Sequence, residues 1–469
     1  LSTFGALNTA YRGLTAAQQG MNVAGQNIAN AATEGYTRQR VEQSSLAAPA
    51  RGLFSGGLLQ AGQGVSVDAI ARLGNSFLDG GVRSTAAQAG YAGVRSAALQ
   101  GIEGVLQEPG DNGISTALHG FWSAWQGAAN QPTQDGPKGL LLNAANSLTD
   151  KISAAYQALD AQWSSTRGQA QDTVTAVNAA ASQVASYNTT IRSTLAAGGS
   201  ANELIDARAK LTDKIAGLAG GTVREQPDGT VDVLVGGNAL VSGGSVRTLQ
   251  LTGATRLADA GGNAPRVEWT SPPGTVALDG GELAGALSVL APASGGGAID
   301  QAAQSYNTLA KALAKTVNDV HRTGETSSGT QGVDFFSTGP AGNEALGIKG
   351  PAAITAVALK VPGRGALDTG IADQISQLGV GSNSPDKVWA GIVTDIGVQS
   401  RGAQQHAALT TAAQASALTG RASQASVSLD EENVSLLTNQ HAYQAAARVM
   451  TAVDEALDVL INRTGLVGR

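Results

Sequence analysis

Apolar residues recur at both ends of the chain with the same alternation of threes and fours. Near the N-terminus Leu7, Leu14, Met21 and Ile28 stand seven residues apart, followed three places later by Ala10, Ala17, Ala24 and Ala31. Near the C-terminus Leu436, Tyr443, Met450 and Leu457 repeat that spacing, with Asn439, Ala446, Val453 and Leu460 as companions. Such spacing draws one narrow apolar stripe down a helix, and a narrow stripe is buried by another helix. Taken alone, the stripes fit two arrangements. The two ends pair within one chain across a structured body, or each packs on neighbouring subunits. Both point to assembly before catalysis.

Between the ends the pattern changes character twice. Residues 3–31 read as one helix, and Thr33-Glu34-Gly35-Tyr36 as a turn in which Gly35 takes positive φ. Residues 37–74 read as extended or irregular, with Gly56-Gly57 in a loop. Helical spacing then predicts helices over 77–106, 114–126, 138–197 and 202–218. From Gly220 the period shortens to two. Thr222–Glu225, the turn Pro227-Asp228-Gly229 and Thr230–Val235 read as a hairpin, with further strands at 239–241, 246–251 and 267–270. Ser294-Gly295-Gly296-Gly297 reads as an exit linker. Helices return over 299–321 and 388–426, separated by loop-rich residues with a short helix near 371–378. Ser428 to Glu431 fits a capping box, Ser428 as N-cap and Glu431 reaching back to its amide, opening a helix of roughly 34 residues and about 50 Å.

Composition narrows the picture. Charged residues make up 14% of the 469, aromatics 4%, and glycine contributes 62, so much of the chain must pack through small residues. A net charge of −6 lacks the basic footprint that nucleic acid demands. Without cysteine there is no disulfide or thiol chemistry. No apolar run approaches the roughly 18 residues of a membrane span, and the N-terminal segment lacks the apolar core of a secretory signal.

Candidate chemistry is thin. His119, His321, His406 and His441 are not spaced as helical metal pairs. His321 reads as a satisfied structural histidine, and Phe121, Trp122 and Trp125 read as core. Gly363-Arg364-Gly365 is not a dinucleotide fingerprint. Asp430-Glu431-Glu432 reads as a first helical turn complementing the helix dipole. No enzyme activity, metal or cofactor is expected.

The run Gly25-Gln26-Asn27-Ile28-Ala29-Asn30, with Glu34-Gly35-Tyr36-Thr37-Arg38-Gln39 after it, resembles the N-terminal signature of bacterial flagellar axial proteins, the rod, hook and hook-associated family. Ser428–Glu432 with Gln440-His441-Ala442-Tyr443-Gln444-Ala445 resembles its C-terminal signature. Inside the chain, Gly113–Leu142, Glu203–Leu211 with the Asp228-Gly229 hairpin, Val317–Gly324 and Asp334-Phe335-Phe336 resemble the hook-associated members. Ala32-Thr33-Glu34 departs from the usual Asn-Thr-Pro, and Thr37 from Ser.

The resemblance implies a structural protein of the hook–filament junction. It implies export without a cleaved signal peptide, by a type III apparatus with a chaperone, to an extracellular tubular assembly. Its partners would be copies of itself, the hook protein and hook-associated protein 3. The subunit-packing residues would be Leu7, Leu14, Met21, Ile28, Leu436, Tyr443, Met450, Val453, Leu457 and Leu460, and the signature turn Asn27, Asn30, Gly35 and Tyr36. The expected fold is mainly α, elongated and multidomain. Residues 1–40 with 429–469 would form an inner coiled-coil-like pair, 41–219 with 297–428 a helical middle, and 220–296 a β-rich outer domain. A hook or distal rod protein is the alternative within the family, although a hook protein would be mostly β between its ends. An exported cell-wall hydrolase is the alternative outside it, and no acid or nucleophile motif supports one.

Overall fold

The computed structural model describes residues 3–47, 62–459 and 461. The chain opens with helix α1 (Thr3–Asn30), followed by the antiparallel hairpin β1 (Gln39–Ser45) and β2 (Val65–Arg72). Helices α2 (Ser76–Leu106), α3 (Ile114–Asn130), α4 (Asp135–Ala196) and α5 (Asn202–Ala219) come next. Strands β3 (Thr222–Glu225), β4 (Val231–Val235), β5 (Asn238–Ser242) and β6 (Ser245–Val246) form one antiparallel sheet in sequence order. Strands β7 (Leu249–Thr252), β8 (Arg266–Thr270) and β9 (Pro273–Thr275) form a second. Then follow α6 (Gly281–Leu290), α7 (Ala298–His321), β10 (Glu325–Thr326), α8 (Glu344–Gly347), β11 (Ala358–Lys360), α9 (Gly370–Ser376), α10 (Pro385–Ala425) and α11 (Leu429–Asp458). The fold is mainly helical with small antiparallel sheets, as the periodicity predicts.

Helix α4 is the spine. Its 62 residues span about 93 Å at 1.5 Å per residue. A single buried stripe runs along it through Leu141, Leu148, Ile152, Leu159, Trp163, Val174, Val177, Val184 and Ile191. At one end the stripe meets an aromatic knot, where Phe121 lies 5.4 Å from Phe336 and Trp125 lies 5.1 Å from Phe335, centroid to centroid. Phe121, Trp122 and Trp125 are therefore core residues, as read from the sequence. At its other end the stripe takes up Val231, Val233, Leu240 and Trp269 from the sheets, within one continuous core.

Asparagines stitch the irregular segments onto these helices. Asn178 on α4 accepts from the amide of Leu249 and donates to its carbonyl, both at 2.9 Å. Asn318 on α7 does the same for Phe336, at 2.9 and 2.8 Å. Asn188 accepts from the amide of Val231 at 3.0 Å and donates to its carbonyl at 2.8 Å. A carboxamide can imitate a strand neighbour, so each satisfies a backbone donor and acceptor that burial would otherwise leave costly.

Several expectations need correction. Residues 220–296 contain helix α6 as well as strands, and Trp163 on α4 donates to the carbonyl of Leu290 at the end of α6 at 3.2 Å. The expected strand 246–251 divides into β6 and β7, which belong to different sheets. The stretch 294–297 is no free linker: a 3-10 turn at Ala293–Gly295 is held by Asp300, whose carboxylate accepts from the amide of Ala293 at 2.7 Å. Ser428 caps α11 as expected, accepting from the Glu431 amide at 3.5 Å, but the Glu431 carboxylate turns away to Arg38. An ion pair across chain segments outcompetes the local reach-back. The Gly56-Gly57 loop lies outside the described residues.

Candidate assembly site: the terminal helix pair and its polar joint

Helices α1 and α11 lie against each other antiparallel, in a register that three contacts define. A Cβ built on Gly13 would meet that of Ala446 at 3.9 Å. One built on Gly20 would lie 2.3 Å from Oδ1 of Asn439. Asn27 Nδ2 donates to Glu432 Oε2 at 3.0 Å. Each step is seven residues forward on one helix and seven back on the other. A side chain at Gly20 would require the Asn439 carboxamide to move aside, and Gly13, Gly20 and Ala446 are small residues at which the helices meet.

That geometry decides what the pair buries. On α1 the buried positions are Ala10, Ala16, Ala17, Gly20, Val23, Ala24 and Asn27. On α11 the buried residue is Glu432. Leu7, Leu14, Met21, Ile28, Leu436, Tyr443, Met450, Val453 and Leu457 are each only half-buried, and Leu460 lies outside the described residues. Beside them Phe4, Tyr11, Val434, Leu437, Val449 and Val459 stand exposed. The intrachain arrangement allowed by the stripes is therefore present, and it covers one flank of each stripe.

At the inner end of the pair, the signature residues build a joint. Asn27, 1% exposed, makes four hydrogen bonds. Its Nδ2 donates to the Gln39 carbonyl at 2.9 Å and to Glu432, and its Oδ1 accepts from the Gln39 amide at 3.0 Å and the Tyr36 hydroxyl at 2.9 Å. Here an asparagine again holds a strand to a helix. Burial, then the carboxylates of Glu203, Asp206 and Glu432, push the Tyr36 phenol up to about 12, so it remains a donor. Gly35 sits at φ 75°, and a Cβ there would strike the Lys210 side chain at 2.2 Å. Asn30 takes a peripheral place, donating to the Gln26 carbonyl at 3.0 Å.

Arg38 closes the joint by meeting Glu432 at 2.6 Å and Glu431 at 2.7 Å, while its amide donates to the carbonyl of Ala425 at the end of α10 at 2.9 Å. Glu432 is 3% exposed. Asp430, Glu431 and Glu432 do stand in the first turn of α11, as read from the sequence, and two of the three carboxylates have a further part there, pairing with Arg38 from near the other end of the chain. The amide of Thr37 donates to Asp206 on α5 at 2.9 Å, and Arg72 at the end of β2 bonds the same carboxylate. Asn202 donates to the Gln39 side chain at 3.2 Å and to the Ile70 carbonyl at 2.8 Å. Segments from α1, β1, β2, α5, α10 and α11 meet there, tying the terminal pair to the body.

Sequence reasoning singled out Asn27 and Tyr36 but not Arg38, Gln39, Asp206 or Glu432 as site residues. Their signal is an unusual density of hydrogen-bonding residues in an otherwise charge-poor chain. His321 is satisfied in the core: Nδ1 lies 2.6 Å from the Val333 carbonyl and Nε2 accepts from the Ala358 amide at 2.9 Å. Burial lowers its pKa. Among the described residues no group of three His, Cys, Asp or Glu could hold a metal ion, and no helix is long and apolar enough to cross a membrane.

Comparison with known proteins places the parts of the chain in one structure. A model of the helical domain of flagellar hook-associated protein FlgK matches residues 99–336. A model of flagella basal body rod protein matches 7–37, and one of the C-terminal part of flagellar basal body rod FlgEFG protein matches 418–463. Flagellar hook-associated protein 1 of Bacillus subtilis (strain 168) is 29% identical, covering 100% of both chains. That of Escherichia coli (strain K12) is 27% identical over 71% of this chain and 60% of its own. The solved structure of the flagellar hook junction protein FlgK from Burkholderia pseudomallei superposes with a TM-score of 0.62 at 16% identity, covering 74% of this chain and 100% of that one. At that identity the match speaks for the fold.

Proposed function

The chain belongs to the family of flagellar hook-associated protein FlgK, and from that premise we propose how its terminal pair serves as the junction's building contact. It is a structural component of the bacterial flagellum, a hook-associated protein of the hook–filament junction. In this reading α1 and α11 of neighbouring subunits complete each other's half-covered stripes to form the inner wall of a tube. The helical middle stands around that wall, with residues 220–296 outermost. One neighbour is the hook protein and the other hook-associated protein 3. The subunit reaches its extracellular place unfolded, through the type III apparatus with an export chaperone, and it carries no enzymatic activity.

The observation supporting this reading is the combination of a tight small-residue contact between α1 and α11 with apolar side chains left exposed on their other flanks. Burying a Leu is worth roughly 1.5–3 kcal/mol, so repeated copies of that surface supply a large driving force. Leu437, exposed on α11, gives the cleanest test. Leu437→Asp should leave the isolated subunit folded and monomeric, with unchanged circular dichroism. In cells lacking the native protein it should leave hooks without filaments. Normal filament number in those cells would overturn the reading.

A further inference from the structure

Helix α10 is held to the body unevenly along its length. The continuous apolar core takes in Trp389 and Ile396, with Ile392, Val393 and Ala403 packed against it, and nothing beyond Ala403 among the described residues of this helix. The rest of α10 lies along α2. From Ala407 onward its covered side chains are Ala407, Thr410, Gln414, Ala417, Arg421 and Ala425, of which Thr410 alone is buried. Side chains this small gain little from burial, so apolar packing holds the second half of α10 weakly.

Yet the end of that half carries the terminal pair. The Ala425 carbonyl accepts from the Arg38 amide at 2.9 Å, and only Ser426, Val427 and Ser428 separate α10 from α11. The last turns of α10 do not close onto α5. Between them, the turn 33–37 and the start of α2 lies a cavity of about 350 Å³. Arg421 reaches across it: Nη1 donates to Asp213 Oδ2 on α5 at 2.6 Å and lies 3.5 Å from Asp79 Oδ1 on α2. Both aspartates have a second arginine, Arg83 at 3.7 Å from Asp213 and Arg72 at 4.0 Å from Asp79, which keeps them in place without Arg421. The other side-chain bond at that end, from Asn75 Nδ2 to Gln424 Oε1 at 3.2 Å, is exposed and uncharged, and a charge-assisted bond is the stronger of the two kinds.

The joint therefore rests on α5 at two points. Asp206 takes the amide of Thr37 and the guanidinium of Arg72, and Asp213 takes Arg421. Seven residues, about 10 Å along the helix, separate them. Two points fix an angle, whereas one leaves a pivot. We infer that Arg421 is a positioning residue for the terminal pair: set against Asp213 and Asp79, its guanidinium supplies the second point and fixes the angle of α1 and α11 on the body. Without it, the terminal pair and the second half of α10 pivot about Asp206. The consequence for building the junction rests on the assembly role proposed above, and the positioning itself does not.

The chain has no cysteine, so Gln183→Cys on α4 and Gln444→Cys on α11, both at exposed positions, place two spin labels across the joint of the full chain. Arg421→Met should widen the distance distribution between them. It should also speed amide exchange over residues 407–425 about tenfold, in line with the loss of a bond to a charged group. Exchange in α4 and over residues 385–396 should stay as it is. Arg421→Lys, which keeps the charge, should restore most of both properties, and Gln424→Ala should change neither. If Arg421→Met folds poorly, Asp213→Asn carries the test, with a smaller change in the same direction. In cells lacking the native protein, Arg421→Met should lower the share of hooks that bear filaments, and Arg421→Lys should recover it. An unaltered distance distribution in Arg421→Met would overturn the inference, as would faster exchange spread evenly over α4 and α10, or equal widening by Gln424→Ala. Leu437→Asp should leave distances and exchange unchanged, so a failure of the assembly reading and a failure of the positioning are told apart.

Discussion

Helix α4 and the terminal pair α1/α11 both place their inward positions three and four residues apart. On α4 those positions are Leu141, Leu148, Ile152, Leu159, Trp163 and Val174, all fully buried within one chain. On α1 the positions buried by its partner are mostly Ala and Gly, and the large residues of the stripe stay half in water. A helix surrounded by α2, α3, α5, α6, α7 and two sheets has every flank of its stripe covered. Helix α1, packed on α11 and at its side on the β1–β2 hairpin, has only part of its surface covered. Equal periodicity therefore carries different consequences: in α4 it holds the subunit together, and in the terminal pair it leaves apolar side chains exposed, the surface that the proposed junction contact would cover.

The comparison breaks most visibly at Trp163. Trp163→Ala removes a fully buried indole and its bond to the Leu290 carbonyl, and should cost about 3–5 kcal/mol, read as a lowered urea midpoint. Asn27→Ala should cost about 2–3 kcal/mol by leaving the backbone of Gln39 and the carboxylate of Glu432 without their partner. Hydrogen exchange should locate that loss at the inner ends of α1 and α11, with protection along α4 unchanged.

A smaller effect distinguishes the body by pH. Burial lowers the pKa of His321 in the folded chain, whereas an unfolded histidine titrates near 6.5. Below that value the unfolded chain binds the proton first, so the stabilisation present above about pH 6.5 is lost as pH falls toward the lowered folded value. The urea midpoint should drop between pH 7.5 and 5.5, and His321→Gln should remove that part of the drop. The smallest stability effect belongs to the terminal stripe. Leu14→Ala should change the subunit by about 1 kcal/mol or less, because a half-buried leucine has gained only part of its transfer energy. A loss matching that of Trp163→Ala would erase the proposed distinction.

Much of this architecture was legible before any coordinates. The lengths of α1, α2, α4 and α5 follow from periodicity, because alternation over many residues outweighs local propensity. The signature turn at Gly35 follows because positive φ favours a residue without Cβ. Less legible was α6, whose Leu283, Ala286, Val289 and Leu290 lie in a short apolar run between turn residues, where strand and helix patterns cannot be separated by period alone. The asparagine clamps were also hidden. A carboxamide pairs with a backbone only when folding delivers that backbone to it, and Asn188 and Val231 are 43 residues apart.

The chain's own sequence determined that it is mainly helical and that its two ends carry matching stripes. These properties are local and repeat often enough to be counted. Tertiary structure alone decided which flank of each terminal stripe is covered and that Glu432 answers Arg38 across 394 residues. Each depends on where distant segments come to lie, and burial then sets the energetic value of every polar group it encloses.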